Sequence, residues 1–357
     1  IEQILGSRDA KAICRAYGIQ TGGNYTDEAA GARSGANILH VPHDSKDSMS
    51  DLQKLDEARE KLFKAREKRV HPFKDDKILA DWNGLMIASL AMAARAFEEP
   101  LYARAAERAA GFILKRLRDR NGTLLHRYRD GEAAVHAGLD DYSFMVWGLI
   151  ELYEATFDVK WLKTAVSLNE EMLKDFSDEK KGGFFLSARQ AEALLTRQKT
   201  VYDGAVPSGN SIALLNLLRL GSITGNPDFE TRAAALVRAF ADSVGATPAG
   251  HTMFLCALDF GLGPSHEVVI AGKIENNDTV EMIRALRRAF IPNKVVLLRP
   301  PEGDKPDIAL IAAYTAMQHA TGGKATAYVC SNRTCAGPTT DIRKMLKLLG
   351  ACEDPGD

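Results

Sequence analysis

The sequence has almost no net charge: 46 lysines and arginines against 47 aspartates and glutamates leave a formal −1 over 357 residues. Without a basic excess it lacks the electrostatic footprint of a nucleic-acid or anionic-membrane binder, so small molecules or proteins are the expected partners. No apolar run reaches the length that spans a bilayer. Cysteine is scarce. Cys14, Cys256, Cys330, Cys335 and Cys352 are odd in number and follow no regular framework, which argues against a disulfide scaffold, suits a reducing, cytoplasmic setting and predicts mostly free thiols. Cys330 and Cys335 have four residues between them rather than two, so they do not form a thioredoxin-type motif. Also missing are a glycine-rich phosphate fingerprint, a His/Cys/Asp/Glu group with metal-ligand spacing, and a signal-peptide pattern. No cofactor and no metal is expected. A chain that opens at Ile1 inside a helix-like stretch is expected to be a piece of something longer.

What is present is a repeat. Residues 85–97 are apolar nearly all round, as in a helix buried on every side, and residues 102–117 carry a one-sided apolar stripe among charges. The pair recurs at residues 144–153 with 161–176, and again at 212–220 with 229–240. Hairpins that cannot each cover their own apolar face are expected to stack, the buried helices inside and the amphipathic ones outside, which makes the fold mainly α and points to an α/α toroid. The connections from outer to inner helix are long, and residues 120–138 contain Asn121-Gly122 and Asp130-Gly131 hairpin signals. These loops should gather on one face, at the N-termini of the inner helices.

Ahead of the repeat, residues 1–17 read as a helix, 18–50 as a long connection, and 51–69 as an exposed helix striped by Leu52, Leu55, Leu62 and Phe63. After Gly263 the pattern changes to β-type runs at 267–272, 295–298 and 325–330, with helical segments at 279–290 and 340–349. The expected division is therefore residues 1–263 as the helical-hairpin domain and 264–357 as a small α/β unit with parallel strands.

Three polar motifs stand at the starts of the apolar helices: Asp81-Trp82-Asn83-Gly84, Leu139-Asp140-Asp141-Tyr142-Ser143, and Tyr202-Asp203-Gly204-Ala205-Val206-Pro207-Ser208-Gly209-Asn210-Ser211. Together with residues 75–80 and the run from Cys330 to Thr340, they resemble the spermatogenesis-associated protein 20-like family. The resemblance covers almost the whole chain. It implies a six-hairpin α/α toroid similar to those of N-acylglucosamine 2-epimerases and six-hairpin glycosidases, with a thioredoxin-like domain ahead of it in full-length members. These residues are expected to hold neither that domain nor the first part of the ring, so a partial toroid is expected.

The three motifs predict one site on the long-loop face. Asp140 and Asp141 begin a helix, where one carboxylate is expected to cap while the other serves as acid or base. His136 is the candidate proton-transfer partner, and His126 lies in the same hairpin. Asp81, Trp82, Asn83, Tyr142, Tyr202, Asp203, Ser208 and Asn210 are the candidate contacts to a sugar-like ligand, Trp82 as an aromatic platform. Arg127, Arg197 and Lys199 are candidates for an anionic group on it. The expected activity is that of a sugar epimerase or glycosidase; the alternative is a non-catalytic scaffold for a thioredoxin-like domain, with the Cys330 to Cys335 loop as a redox contact.

Overall fold

A computed structural model describes residues 1–29, 31–43, 55–190, 195–301, 307–331 and 334–351. Leu52 and Cys352 lie outside the described residues. The chain forms two compact units, Ile1–Asp75 and Asp76–Asp357. The expected division at 263/264 falls inside the second.

In the first unit, helices α1 (Glu2–Ala16) and α2 (Asp56–Glu67) pack through Leu5, Ala10, Ile13 and Ala58. The glycine-rich connection is held by Asn24, whose amide donates to the carbonyls of Gly18 and Ile38 and accepts the Ile38 N–H. Phe63 stays exposed.

The second unit is mainly α and has the hairpin architecture of an α/α toroid. Its inner helices are α3 (Ala80–Ala96), α5 (Leu139–Thr156), α7 (Gly209–Thr224) and α9 (Thr252–Leu262), each packed on the next. Its outer helices α4 (Pro100–Arg116), α6 (Val159–Phe176) and α8 (Pro227–Ala246) each lean on the inner helix before them. Burial follows the expected pattern for α5 and α7. Helix α3 departs from it: Trp82, Met86 and Met92 are exposed, because α3 ends the row and has an inner neighbour on one side only among the described residues. Glycine allows the closest approach in the row. A Cβ on Gly84 would lie 2.6 Å from the Phe144 carbonyl carbon, and one on Gly148 would lie 2.7 Å from the Gly84 oxygen, so α3 and α5 cross with their backbones touching.

Between α4 and α5 the expected hairpin forms, β2 (Leu125–Arg129) against β3 (Glu132–His136), turning at Asp130 and Gly131, which both have positive φ. A two-residue strand, β1 (Ile78–Leu79), adds to it with Leu79 opposite Arg127. Since β1 runs straight into α3, the start of that helix is tied to the hairpin.

The remaining strands make one sheet in the order β5 (Lys294–Arg299), β4 (His266–Ala271), β6 (Thr326–Ser331), β7 (Thr334–Cys335). Its strands alternate cleanly. Val269, Val295 and Leu297 join the core of the hairpins, whereas Val268, Ile270, Val296 and Leu298 pack against α10 (Asn277–Arg288) and α11 (Ile342–Leu348). The expectation of parallel strands holds for β4 with β5 and fails for β6, which is antiparallel to β4. Parallel neighbours need a crossover that carries the chain back. Helix α10 supplies one between β4 and β5, while the described residues between β5 and β6 hold only short 3-10 turns.

Candidate functional site

Asp141 is the hub of the site. It is the third residue of α5 and only 2% exposed, and its Oδ2 accepts the Gly138 N–H at 2.8 Å, so it caps its own helix. Its Oδ1 accepts the Asp81 N–H from the first turn of α3 at 3.0 Å. The Nδ1 of His126, on β2, donates to both oxygens at 2.9 and 3.0 Å. That bond raises the His126 pKa above the ordinary value, against the effect of burial, with the Asp141 and Asp81 charges adding to it.

Asp140, one residue earlier, points elsewhere. Its Oδ1 is buried against Gly209 without a hydrogen bond of normal geometry, and a Cβ on Gly209 would come within 2.3 Å of it, so only glycine leaves room. Burial first, then the negative charges of Asp141 and Asp81, push the Asp140 carboxyl up to about 6, while the nearby Gly209 amide and His126 offset part of the effect. Asp81 is also raised, by burial and then by Asp141, even though it accepts the Trp82 N–H at 2.7 Å. Two carboxyls with enhanced proton affinity thus flank a half-buried imidazole bonded to a buried carboxylate. Such a set can donate and accept protons near neutral pH.

The structure divides the remaining candidates. Trp82 (63% exposed) and Tyr202 (64%) present aromatic surface to solvent. His136 is exposed at the end of β3, opposite Leu125, and is not part of the carboxylate–imidazole cluster. Asn83 donates to the Leu79 carbonyl. Tyr142 is buried, with its hydroxyl near Glu171 and the Leu124 N–H. Asp203 accepts the Ser208 N–H with one oxygen and the Met253 and Phe254 N–H groups at the start of α9 with the other. Ser208 caps α7. Asn210 is fully buried, accepting the Phe184 N–H and donating to the Phe184 and Thr200 carbonyls. These five side chains, expected to meet a ligand, are engaged in holding the backbone. Arg197 and Lys199 likewise tie the 177–202 loop, to Ser187 and Asp175 carbonyls and to Asp178.

Sequence spacing showed no metal-ligand group, yet the fold brings ligand atoms of Asp81, His126 and Asp141 within 4.8 Å of one another. They are the residues that could hold a cation, but those of His126 and Asp141 already bond to each other. The expectation of free thiols is corrected for one pair: Cys330 and Cys335 are opposite residues on β6 and β7 and form a disulfide. Cys14 and Cys256 are free.

No protein-family model matches the chain. Over 98% of its length it is 31% identical to spermatogenesis-associated protein 20 of Homo sapiens, and over 94% it is 31% identical to the Rattus norvegicus protein of that name. The chain is a relative of spermatogenesis-associated protein 20. It spans about half the length of these curated relatives, 47% and 45%. Among solved structures it is similar to a cellobiose 2-epimerase from Bacillus thermoamylovorans, at 17% identity and TM-score 0.40 over 48% of this chain and 46% of the other. It is also similar to a GH76 α-mannanase from Bacteroides thetaiotaomicron, at 18% identity and TM-score 0.41 over 54% and 56%. Among the described residues no helix is long and apolar enough to cross a membrane.

Proposed function

We propose that the protein processes a carbohydrate by acid–base chemistry at the N-terminal ends of its inner helices. The observation that carries this reading is the Asp140 carboxyl, partly exposed, without a hydrogen bond of normal geometry at Oδ1, and titrating at about 6 beside a second raised carboxyl, Asp81. Asp140 in its protonated form donates to a leaving or ring oxygen. Asp81 accepts a proton from water or from a sugar carbon. His126, fixed by Asp141, sets the charge balance between them and is the nearest imidazole able to share the proton. Trp82 and Tyr202 supply aromatic faces on which a pyranose ring can stack. This assignment gives Asp140 the acid role, Asp141 a positioning one, and His136 none.

The test begins with a thermal-shift screen of a sugar library, since a ligand that binds the folded state raises its stability. With a hit, Asp140→Asn and Asp81→Asn should abolish turnover while leaving binding in place, and Trp82→Ala should weaken binding. If both aspartate variants turn over every hit at the wild-type rate, the reading is wrong.

A second reading, a non-catalytic scaffold serving a thioredoxin-like domain, is favoured by one observation, the Cys330–Cys335 disulfide that ties β6 to the short outermost strand β7. It predicts a trapped mixed disulfide with a thioredoxin carrying a single active-site cysteine. Failure to trap either cysteine removes that reading.

A further inference from the structure

At the opposite ends of the inner helices, their C-terminal ends, a cavity of about 440 Å3 lies between the hairpins and the sheet. Its polar lining consists chiefly of charged side chains: Arg95, Glu151, Glu154, Arg219, Arg287 and Lys294. The first four form a closed tetrad. Each arginine pairs with both glutamates, and the Trp147 indole N–H donates to Glu151 at 3.1 Å. Against the cost of burial, Arg219 and Arg95 hold the Glu151 carboxyl down to about 2. The tetrad is therefore neutral within itself. Arg287 and Lys294 stand outside it as two further cations, bonded only to carbonyls: Arg287 to Glu154 and Ala155 at the end of α5, Lys294 to Ile291. Neither makes an ion pair with a carboxylate among the described residues.

Two cations without an ion-pair partner, beside two buried arginines, are only partly offset by the nearby glutamates and are costly unless something negative joins them. The cost is visible. Burial and then the Arg95 charge pull Arg287 down to about 10, and burial, with Arg95 and Arg219 outweighing part of the pull of Glu154, lowers Lys294. Apart from Asn293 and Cys256 the rest of the wall is apolar, with Trp147, Phe157 and Phe260 among its aromatic residues. Two cations without ion-pair partners in a cavity walled largely by aromatic and aliphatic side chains define a complementary ligand.

We propose that this cavity binds a small organic anion, a carboxylate or phosphate monoester carried on an apolar body. Capping of α5 explains one of the two surplus cations. It leaves the other, Lys294 at the first position of β5, which bonds to the Ile291 carbonyl and has no ion pair with a carboxylate among the described residues. The site is separate from the carbohydrate site, and its test is independent of that reading.

Phenyl phosphate, benzoate, inorganic phosphate and neutral phenol are titrated into the intact chain by calorimetry and thermal shift. Phenyl phosphate or benzoate should bind saturably and raise Tm, the stronger of the two identifying the head group, while phenol should not. Affinity should fall about tenfold in Lys294→Met, the expected effect of removing one charge-assisted contact, and stay unchanged in Asp140→Asn. Arg287→Met could weaken folding through α5, so a measurement on the unmodified chain accompanies it: alkylation of Cys256, an exposed thiol lining the cavity, should slow in the presence of the bound anion while Cys14 reacts as before. Absence of saturable binding by either anion, or equal affinity in wild type and Lys294→Met, overturns the proposal, as does binding without protection of Cys256.

Discussion

Replacing Asp140 with asparagine should stabilise the protein, and only where the native carboxyl is charged. A carboxyl that titrates at about 6 in the folded chain rather than near its ordinary 3.8 has its charged form disfavoured by folding. At 1.36 kcal/mol per pH unit this costs about 3 kcal/mol, an upper bound because partial solvent access screens it. The sign follows from linkage. The folded pKa is the higher one, so the native state is relatively favoured below pH 4, and the advantage is lost as pH rises through about 6. Asparagine has nearly the same shape and carries no charge. Urea unfolding at pH 8 should therefore show Asp140→Asn more stable than wild type by about 2–3 kcal/mol, and the difference should vanish near pH 4. A variant equally stable at both pH values, or destabilised at pH 8, would refute the claim that Asp140 is held against its charge. A gain in stability with loss of turnover is the signature of a group kept strained for chemistry.

Three further outcomes test the framework. Asn210→Ala leaves two buried Phe184 backbone groups and the more accessible Thr200 carbonyl without their partner and should cost about 2–4 kcal/mol by chemical denaturation, because each buried unsatisfied group forfeits its desolvation; a loss below about 1 kcal/mol would mean that its amide is not structural. Gly84→Ala gains about 1 kcal/mol of helix propensity but drives a Cβ onto the Phe144 backbone, which cannot rotate away, so a net loss of about 1–3 kcal/mol in Tm-derived stability is expected. The raised pKa of His126 contributes stability below its unfolded value that is lost as pH rises through the folded one; Asp141→Asn should bring it back toward 6.5 in an NMR titration, and an unmoved resonance would remove Asp141 as the cause.

The helical repeat was open to reading because each inner helix is apolar on nearly all faces and each outer one on a single face, a difference periodicity records directly. Asp140 and Asp141 were open to reading as a helix start. Their division of labour was not, since it depends on the Asp81 amide and His126 arriving from elsewhere. That meeting rests on the register of a two-residue strand with β2, too short to leave a pattern. Asn210 misled for a different reason: in a loop rich in glycine and proline, a carboxamide serving the backbone and one serving a ligand look alike in sequence. The exposed stripe of Trp82, Met86 and Met92 was hidden because composition cannot tell the end of a row from its middle. The second cavity gave no signal, its charges being scattered from Arg95 to Lys294 and brought together only by packing of hairpin on sheet.

The carboxylates at the rim do more than cap their own segments. Asp141 satisfies an amide at the start of α3, and Asp203 satisfies two at the start of α9, so neither helix end can fray without releasing a bond made by another part of the chain. Amide exchange at these positions should therefore proceed through shared openings rather than independent ones. A ligand that moves Asp141 would be sensed by the Asp81 amide in the first turn of α3, and one that moves Asp203 by the Met253 and Phe254 amides at the start of α9.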